Sequence, residues 1–177
     1  MTEDCCPEPI AGPVVDGRVL RHVWTALGPL ARGDWPPAPH SLLVPHRAES
    51  LTALDEVLAG LYLAVDAEGR LRWLGKAHRD GGVRARLGDH FRHPERERVY
   101  AGVFVVEADP FSPVKAIEAA EGRAADLIGL RGRMGPRTWP VVTEAQWLAQ
   151  VTSHPASRIG RPRPSADGSE DRSAAPA

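Results

Sequence analysis

The chain has 177 residues, of which 42% are hydrophobic and 25% are charged, with a formal net charge of -1. These proportions are typical of a single soluble domain with a substantial core, and no apolar run approaches the roughly 20 residues that a membrane span requires. The acidic start, residues 1–6, lacks the positive charge of a secretory signal and holds an isolated cysteine pair, so we expect a cytoplasmic protein without a disulfide framework.

Basic residues concentrate in the middle of the chain. Residues 1–68 contain ten acids and four bases, whereas residues 70–98 contain nine bases and four acids. A local positive field of this kind attracts a polyanion such as nucleic acid. The alternative is a solvated surface on which these arginines pair with Asp89, Glu95 and Glu97.

The first part of the chain carries few periodic signals. Residues 1–17, with three prolines and two glycines, are predicted to be disordered. A strand is predicted at Arg18–Trp24, and the prolines between Pro29 and Pro45 interrupt regular structure. Ser50 is expected to cap a short helix over Leu51–Leu58.

The central segment predicts a hairpin followed by a helix and a third strand. Strands at Leu61–Asp66 and Arg70–Gly75 are joined by a turn that contains Gly69. A helix over Val83–Arg92 stops before Pro94, because the residue preceding proline disfavours helical angles. Residues 99–107 are rich in β-branched and aromatic side chains and are expected to form a buried strand.

Two further helices complete the predicted domain, which spans residues 18–152. The first runs from about Pro113 to Leu130, and Glu121 lies within its apolar stripe, where a carboxylate is costly unless it meets a metal ion or another polar partner. The second covers Glu144–Val151. Residues 153–177 are polar and rich in proline, and are predicted to be a disordered tail.

Three short motifs carry the chemistry. They are Gly60-Leu61-Tyr62, Trp73-Leu74-Gly75, and the segment in which Arg86 and His90 stand four residues apart and therefore on one helix face. A phenol or an imidazole can transfer a proton, and a guanidinium can bind phosphate oxygens. Together these groups are suited to chemistry at a phosphodiester bond.

The order and spacing of these motifs resemble the GIY-YIG nuclease family over about residues 58–130. The resemblance implies an α/β fold with a small three-stranded antiparallel or mixed sheet flanked by helices. It also implies a DNA endonuclease that uses Mg²⁺ or Mn²⁺. Tyr62 would then be the base or water-orienting group, Arg86 would hold the phosphate, His90 would assist, and Glu121, or alternatively Glu118, would bind the metal.

The chain departs from the family pattern at two positions that matter for catalysis. Trp73 replaces the second tyrosine, and its indole donates a hydrogen bond but accepts none. No asparagine occurs between Arg131 and Pro140. The alternative is therefore a catalytically impaired module that binds nucleic acid, and a protein interaction module is a third hypothesis. In either nucleic-acid reading, we expect the basic side chains that contact the polyanion to be Lys76, Arg79, Arg84 and Arg92.

Overall fold

The centre of the fold is an antiparallel sheet. The computed structural model describes residues 11–32, 35, 42–43, 54–79, 81–134 and 139–153. Within these ranges the strands are β1 (Leu42–Leu43), β2 (Ala59–Val65), β3 (Leu71–His78) and β4 (Gly102–Glu107), in the spatial order β1-β4-β2-β3. The central strand β2 pairs in antiparallel fashion with both β3 and β4, and helices flank the sheet. The predicted fold class is therefore confirmed, with the two-residue β1 added at one edge.

The described helices are α1 (Gly17–Leu27), α2 (Gly82–Phe91), α3 (Pro94–Val99), α4 (Val114–Ile128) and α5 (Glu144–Thr152), and a 3₁₀ turn follows α1. The sequence predicted α2, α4 and α5 to within two residues at each end. It did not predict α3, a six-residue helix. Proline ends the preceding helix, as expected, but proline also favours the first position of a new one.

The predicted strand at Arg18–Trp24 is wrong, because this segment forms helix α1. The side chain of Asp16 accepts a hydrogen bond from the backbone N–H of Val19 at 2.9 Å and caps the helix. Buried residues recur at helical spacing, and they are Val19, Val23, Ala26 and Leu27. A seven-residue window was too short to reveal this period of 3.6.

Residues 11–17 also differ from the predicted disorder. The backbone N–H of Gly12 donates to Leu71 O at 2.7 Å, and Val14 forms an antiparallel bridge with Arg70. This segment therefore lies along the start of β3. Of the helix predicted at Leu51–Leu58, the described residues from Leu54 onward form a turn that leads into β2. The remainder of that helix, residues 1–10 and residues 154–177 lie outside the described residues.

Side chains alternate between the two faces of the sheet. Leu61 and Leu63 of β2 join the apolar cluster that includes α1 and α4, whereas Tyr62 and Ala64 join the cluster that includes α2. A shift in register between Ala64 and Val65 lets Leu71 face the first cluster. The period of two along β2 thus sends Tyr62 towards α2 and its hydrophobic neighbours towards α4.

Gly60 in the first motif has a packing role that gives a stability prediction. A Cβ at this position would lie 2.5 Å from the carbonyl oxygen of Val106 on β4. We expect Gly60→Ala to lower the free energy of unfolding by about 1–3 kcal/mol, because β2 and β4 must separate locally. Urea denaturation measures the change.

Gly88 provides the matched control, since nothing lies within 4 Å of a Cβ placed there. Gly88→Ala, inside helix α2, should instead raise the free energy of unfolding by about 0.5–1 kcal/mol through helix propensity. Equal effects of the two substitutions would contradict the close approach of β2 and β4.

Candidate functional site

A groove of about 340 Å³ opens at the β3 side of the sheet. Its lining includes the five residues that the sequence predicted for the catalytic and metal site, namely Tyr62, Trp73, Arg86, His90 and Glu121. Tyr62 and His90 come from the α2 side of the sheet, and Glu121 comes from α4 on the other side. The two sides meet at β3, the edge strand of the sheet.

Gly75 lets the phenol of Tyr62 reach this edge. Tyr62 pairs with Gly75 across β2 and β3, and a Cβ on Gly75 would lie 2.5 Å from both Cζ and the hydroxyl oxygen of Tyr62. The indole nitrogen of Trp73 would be 2.7 Å from the same Cβ. The tyrosine of the first motif therefore extends into space that a side chain on the glycine of the second motif would occupy.

A chain of hydrogen bonds fixes the Tyr62 hydroxyl. The hydroxyl oxygen lies 2.8 Å from His90 Nε2, and His90 Nδ1 lies 2.7 Å from a guanidinium nitrogen of Arg96. A guanidinium donates hydrogen bonds and accepts none, so Nδ1 must present its lone pair. The proton of the neutral ring then lies on Nε2, and His90 donates to Tyr62.

Trp73 packs inside the same cluster. Its ring centroid is 4.3 Å from that of His90, and the guanidinium carbon of Arg96 is 4.5 Å from the indole centroid on α3's side of the groove. Trp73 also lowers the pKa of the Tyr62 phenol. The hydroxyl of Tyr62 is therefore influenced by both His90 and Trp73.

Tyr62 remains a neutral phenol in this environment. Burial raises its pKa above the ordinary value of about 10, and the negative charge of Glu121 raises it further, against the lowering effects of Trp73 and Arg86. With its oxygen accepting from His90, the hydroxyl has its own proton left to donate. The group is therefore built to donate a hydrogen bond rather than to accept a proton.

Of the two candidate glutamates, Glu121 is the one that lines the groove. Glu118 instead pairs with Lys76 at 2.6 Å and with Lys115 at 3.0 Å. The hydrogen bond from Lys76, followed by that from Lys115, holds the pKa of the Glu118 carboxyl below its usual value. The lining of the groove also includes Lys76, so a cation accompanies the carboxylate there.

The position of Glu121 depends on its neighbour Gly122. A Cβ at Gly122 would overlap the carbonyl oxygen of Pro140, so this helical glycine permits residues 139–140 to pack on α4. Arg131 donates to the carbonyl oxygens of Trp139 at 2.9 Å and Pro140 at 2.5 Å and secures that contact. The helix therefore continues through Gly122 without a change of register.

The predicted nucleic-acid contacts are spread over more than one surface. Lys76 lies in the groove, whereas Arg84 and Arg92 line a second hollow of about 500 Å³ on the outer side of α2. Arg84 is paired there with Asp55, and Arg92 with Asp89 at 3.2 Å. Asp89 lines both hollows, which makes them neighbours. Arg79 lies beyond both, at the end of β3.

Sequence reasoning assigned no role in the site to Arg96 or to Gly75, although Gly75 belongs to the second motif. Arg96 belongs to the run Glu95-Arg96-Glu97-Arg98, in which no signal separates the arginine that faces His90 from the one that does not. The opposition of Gly75 and Tyr62 depends on the register of the hairpin. That register is a possible signal, because it follows from the length of the turn between the two motifs.

Among the described residues, no three His, Cys, Asp or Glu side chains gather as a metal cluster, and no helix is long and apolar enough to cross a membrane. His78 bonds through Nε2 to the carbonyl of Ser112 at 2.7 Å. No protein-family model, curated protein or solved structure matches the chain. A function for the chain is therefore inferred from the residues that line the groove.

The raised pKa of Tyr62 predicts a dependence of stability on alkaline pH. Because the folded-state pKa exceeds the unfolded value, the stabilisation is complete below about pH 10 and is lost as the pH rises through the folded-state pKa. The free energy of unfolding of the wild type should therefore fall more steeply above about pH 10 than that of Tyr62→Phe. Urea denaturation of both proteins across this range gives the difference, and parallel curves would show that the phenol is not buried as described.

Proposed function

We propose that this protein is a cytoplasmic, metal-dependent endonuclease that hydrolyses phosphodiester bonds of DNA, related to the GIY-YIG nucleases. The observation that supports this proposal is the meeting of a neutral phenol, a guanidinium and a carboxylate in one groove at the sheet edge. These three groups supply the functions that phosphodiester hydrolysis needs: orientation of water, binding of phosphate, and a ligand for a divalent ion.

Arg86 is the group proposed to bind the scissile phosphate. It lies on an exposed part of helix α2, lines the groove, and is close enough to Tyr62 to lower the pKa of the phenol. A planar guanidinium contacts two phosphate oxygens at once, so it fixes the orientation of the phosphate as well as offsetting charge in the transition state. Lys76 adds a second positive charge to the groove.

Tyr62 is proposed to orient the attacking water or a phosphate oxygen by donating its hydroxyl proton. A role as a base is disfavoured, because burial holds the phenol in its neutral form. His90 acts as a positioning residue in this account, since one ring nitrogen contacts Tyr62 and the other contacts Arg96. Arg96 thereby fixes the histidine ring, and the ring in turn fixes the hydroxyl of Tyr62.

Glu121 fits a divalent ion by the chemistry of its side chain. Mg²⁺ is commonly held by one or two carboxylates together with water and substrate phosphate, and a half-buried carboxylate in an open groove matches that pattern. The ion, when bound, would increase the acidity of water and neutralise charge on the phosphate. Glu121 would hold it at the face of the groove opposite α2.

The packing of Trp73 favours a second candidate, a related module that binds nucleic acid but has lost efficient cleavage. The indole sits against His90 and Arg96, where the family pattern leads us to expect a second phenol. It fills that space without offering an acceptor for a proton.

Paired glutamate variants test the proposed metal ligand. Glu121→Gln should abolish Mg²⁺- or Mn²⁺-dependent nicking of a supercoiled plasmid and leave DNA affinity within about twofold, because it removes the ligand charge but keeps the shape. Glu118→Gln is the matched control on the same helix and should retain cleavage, since Glu118 is paired with two lysines. The reverse pattern would show that Glu118 is the ligand.

Trp73→Tyr separates the two candidate functions. If the groove is an impaired nuclease, the variant should raise the nicking rate by restoring an oxygen that both donates and accepts beside Tyr62. If the indole serves packing alone, the variant should lower the free energy of unfolding by about 1–3 kcal/mol without a gain in cleavage. Salt-dependent DNA binding by a wild type that does not nick DNA would establish the binding module instead of the nuclease.

A further inference from the structure

Phe111 is presented to solvent by the turn between β4 and α4. Its side chain is 72% exposed, although burial of a phenyl ring ordinarily stabilises the folded protein. A single exposed apolar residue needs no explanation by itself. The surroundings of Phe111 distinguish it from an incidental surface residue.

The turn that carries Phe111 is held at several points. The side chain of Asp109 accepts a hydrogen bond from the backbone N–H of Phe111 at 2.8 Å, and the backbone carbonyl of Asp109 accepts from Ser112 N–H at 2.9 Å. His78 on β3 then bonds through Nε2 to the carbonyl of Ser112 at 2.7 Å. Hydrogen bonds therefore hold in place the backbone that carries the exposed ring.

Arg79 lies over the ring of Phe111. The guanidinium carbon is 5.7 Å from the ring centroid, and Nε donates to the carbonyl of Pro110 at 3.0 Å. The backbone of Arg79 has φ of 48°, a left-handed conformation that a residue with a Cβ rarely adopts. The chain thus accepts local strain at the residue that pairs a cation with the exposed ring.

Contacts from β3 and the residue after it to α4 and the preceding turn connect this pair to the groove. Lys76 contacts Glu118 of α4, His78 contacts Ser112 in the turn, and Arg79, which follows β3, contacts Pro110 in the same turn. Arg79 follows Lys76 by three positions along the chain, just beyond the end of β3, which is about 10 Å at the rise of a strand. That distance equals roughly three nucleotides at the ~3.4 Å spacing of a stacked strand.

Three cations lie along this path. Lys76 stands at the groove and shares the carboxylate of Glu118 with the exposed Lys115, and Arg79 lies at the far end. A nucleic-acid strand leaving the groove would meet these cations along its phosphates and would reach an aromatic face with an arginine beside it. Aromatic rings and arginine planes are the groups on which unpaired bases stack.

We propose that Phe111 and Arg79 form a stacking site for an unpaired base of the strand whose phosphate lies in the groove. This inference rests on the proposed function and deepens it. The substrate class becomes DNA with a single-stranded segment about three nucleotides or fewer from the bond that is cut.

The test measures the affinity of a fluorescent single-stranded oligonucleotide by anisotropy. Phe111→Ala should weaken binding by about 5- to 100-fold, as expected for loss of one stacked base, and Phe111→Tyr should recover most of that loss. Val141→Ala removes an apolar side chain that is 84% exposed and lies outside the groove lining, and it should leave affinity unchanged. Affinity for a blunt duplex of equal length should change by less than twofold in Phe111→Ala.

The outcomes distinguish this inference from the proposed nuclease. Binding by Phe111→Ala within twofold of the wild type would overturn the stacking site, even if Glu121-dependent cleavage is found. Loss of single-strand affinity without any cleavage by the wild type would support the stacking site and count against the nuclease. If Phe111→Ala leaves oligonucleotide binding unchanged but removes a self-association that the wild type shows in sedimentation, the surface would be an interface between protein chains. That result would overturn the proposal.

Discussion

The position of the Tyr62 hydroxyl is the constraint on which the groove depends. Three features combine to set it: Gly75 leaves the space, His90 donates from Nε2, and Arg96 holds the other ring nitrogen. Burial keeps the phenol neutral, so its proton is available to a ligand in the groove. The identity of the proposed catalytic group therefore follows from its neighbours, because a tyrosine alone does not specify whether it donates or accepts.

The same constraint links the fold to the motifs. Register across β2 and β3 places Tyr62 opposite Gly75, and the alternation of β2 keeps the leucines beside it in the opposite core. β3 is an edge strand, so groups from α2 and α4 meet there without a strand between them. This arrangement brings cations, carboxylates and a neutral phenol together in one open hollow at the sheet edge.

Much of this arrangement could be predicted from local signals. The glycine-containing turn predicted the hairpin, and the spacing of Arg86 and His90 predicted that both would lie on one face of α2. Helix α1 was missed because a seven-residue window is too short to reveal its period. Arg96 could not be separated from Arg98, because which of them contacts His90 depends on tertiary packing. The stripe on α4 favoured Glu121 over Glu118, and the structure places Glu121 in the groove and pairs Glu118 with lysines.

Arg96 fixes His90 as the Nε2-protonated tautomer, and His90 in turn holds the hydroxyl of Tyr62. Long-range ¹H–¹⁵N correlation spectra of the histidine rings report this tautomer directly, with His90→Gln used for assignment. We expect a neutral His90 ring with its proton on Nε2 at neutral pH, and a loss of this preference in Arg96→Gln. A His90 ring protonated on Nδ1 in the wild type would rule out this arrangement, because Arg96 could not then donate to it and Tyr62 would be the donor to His90.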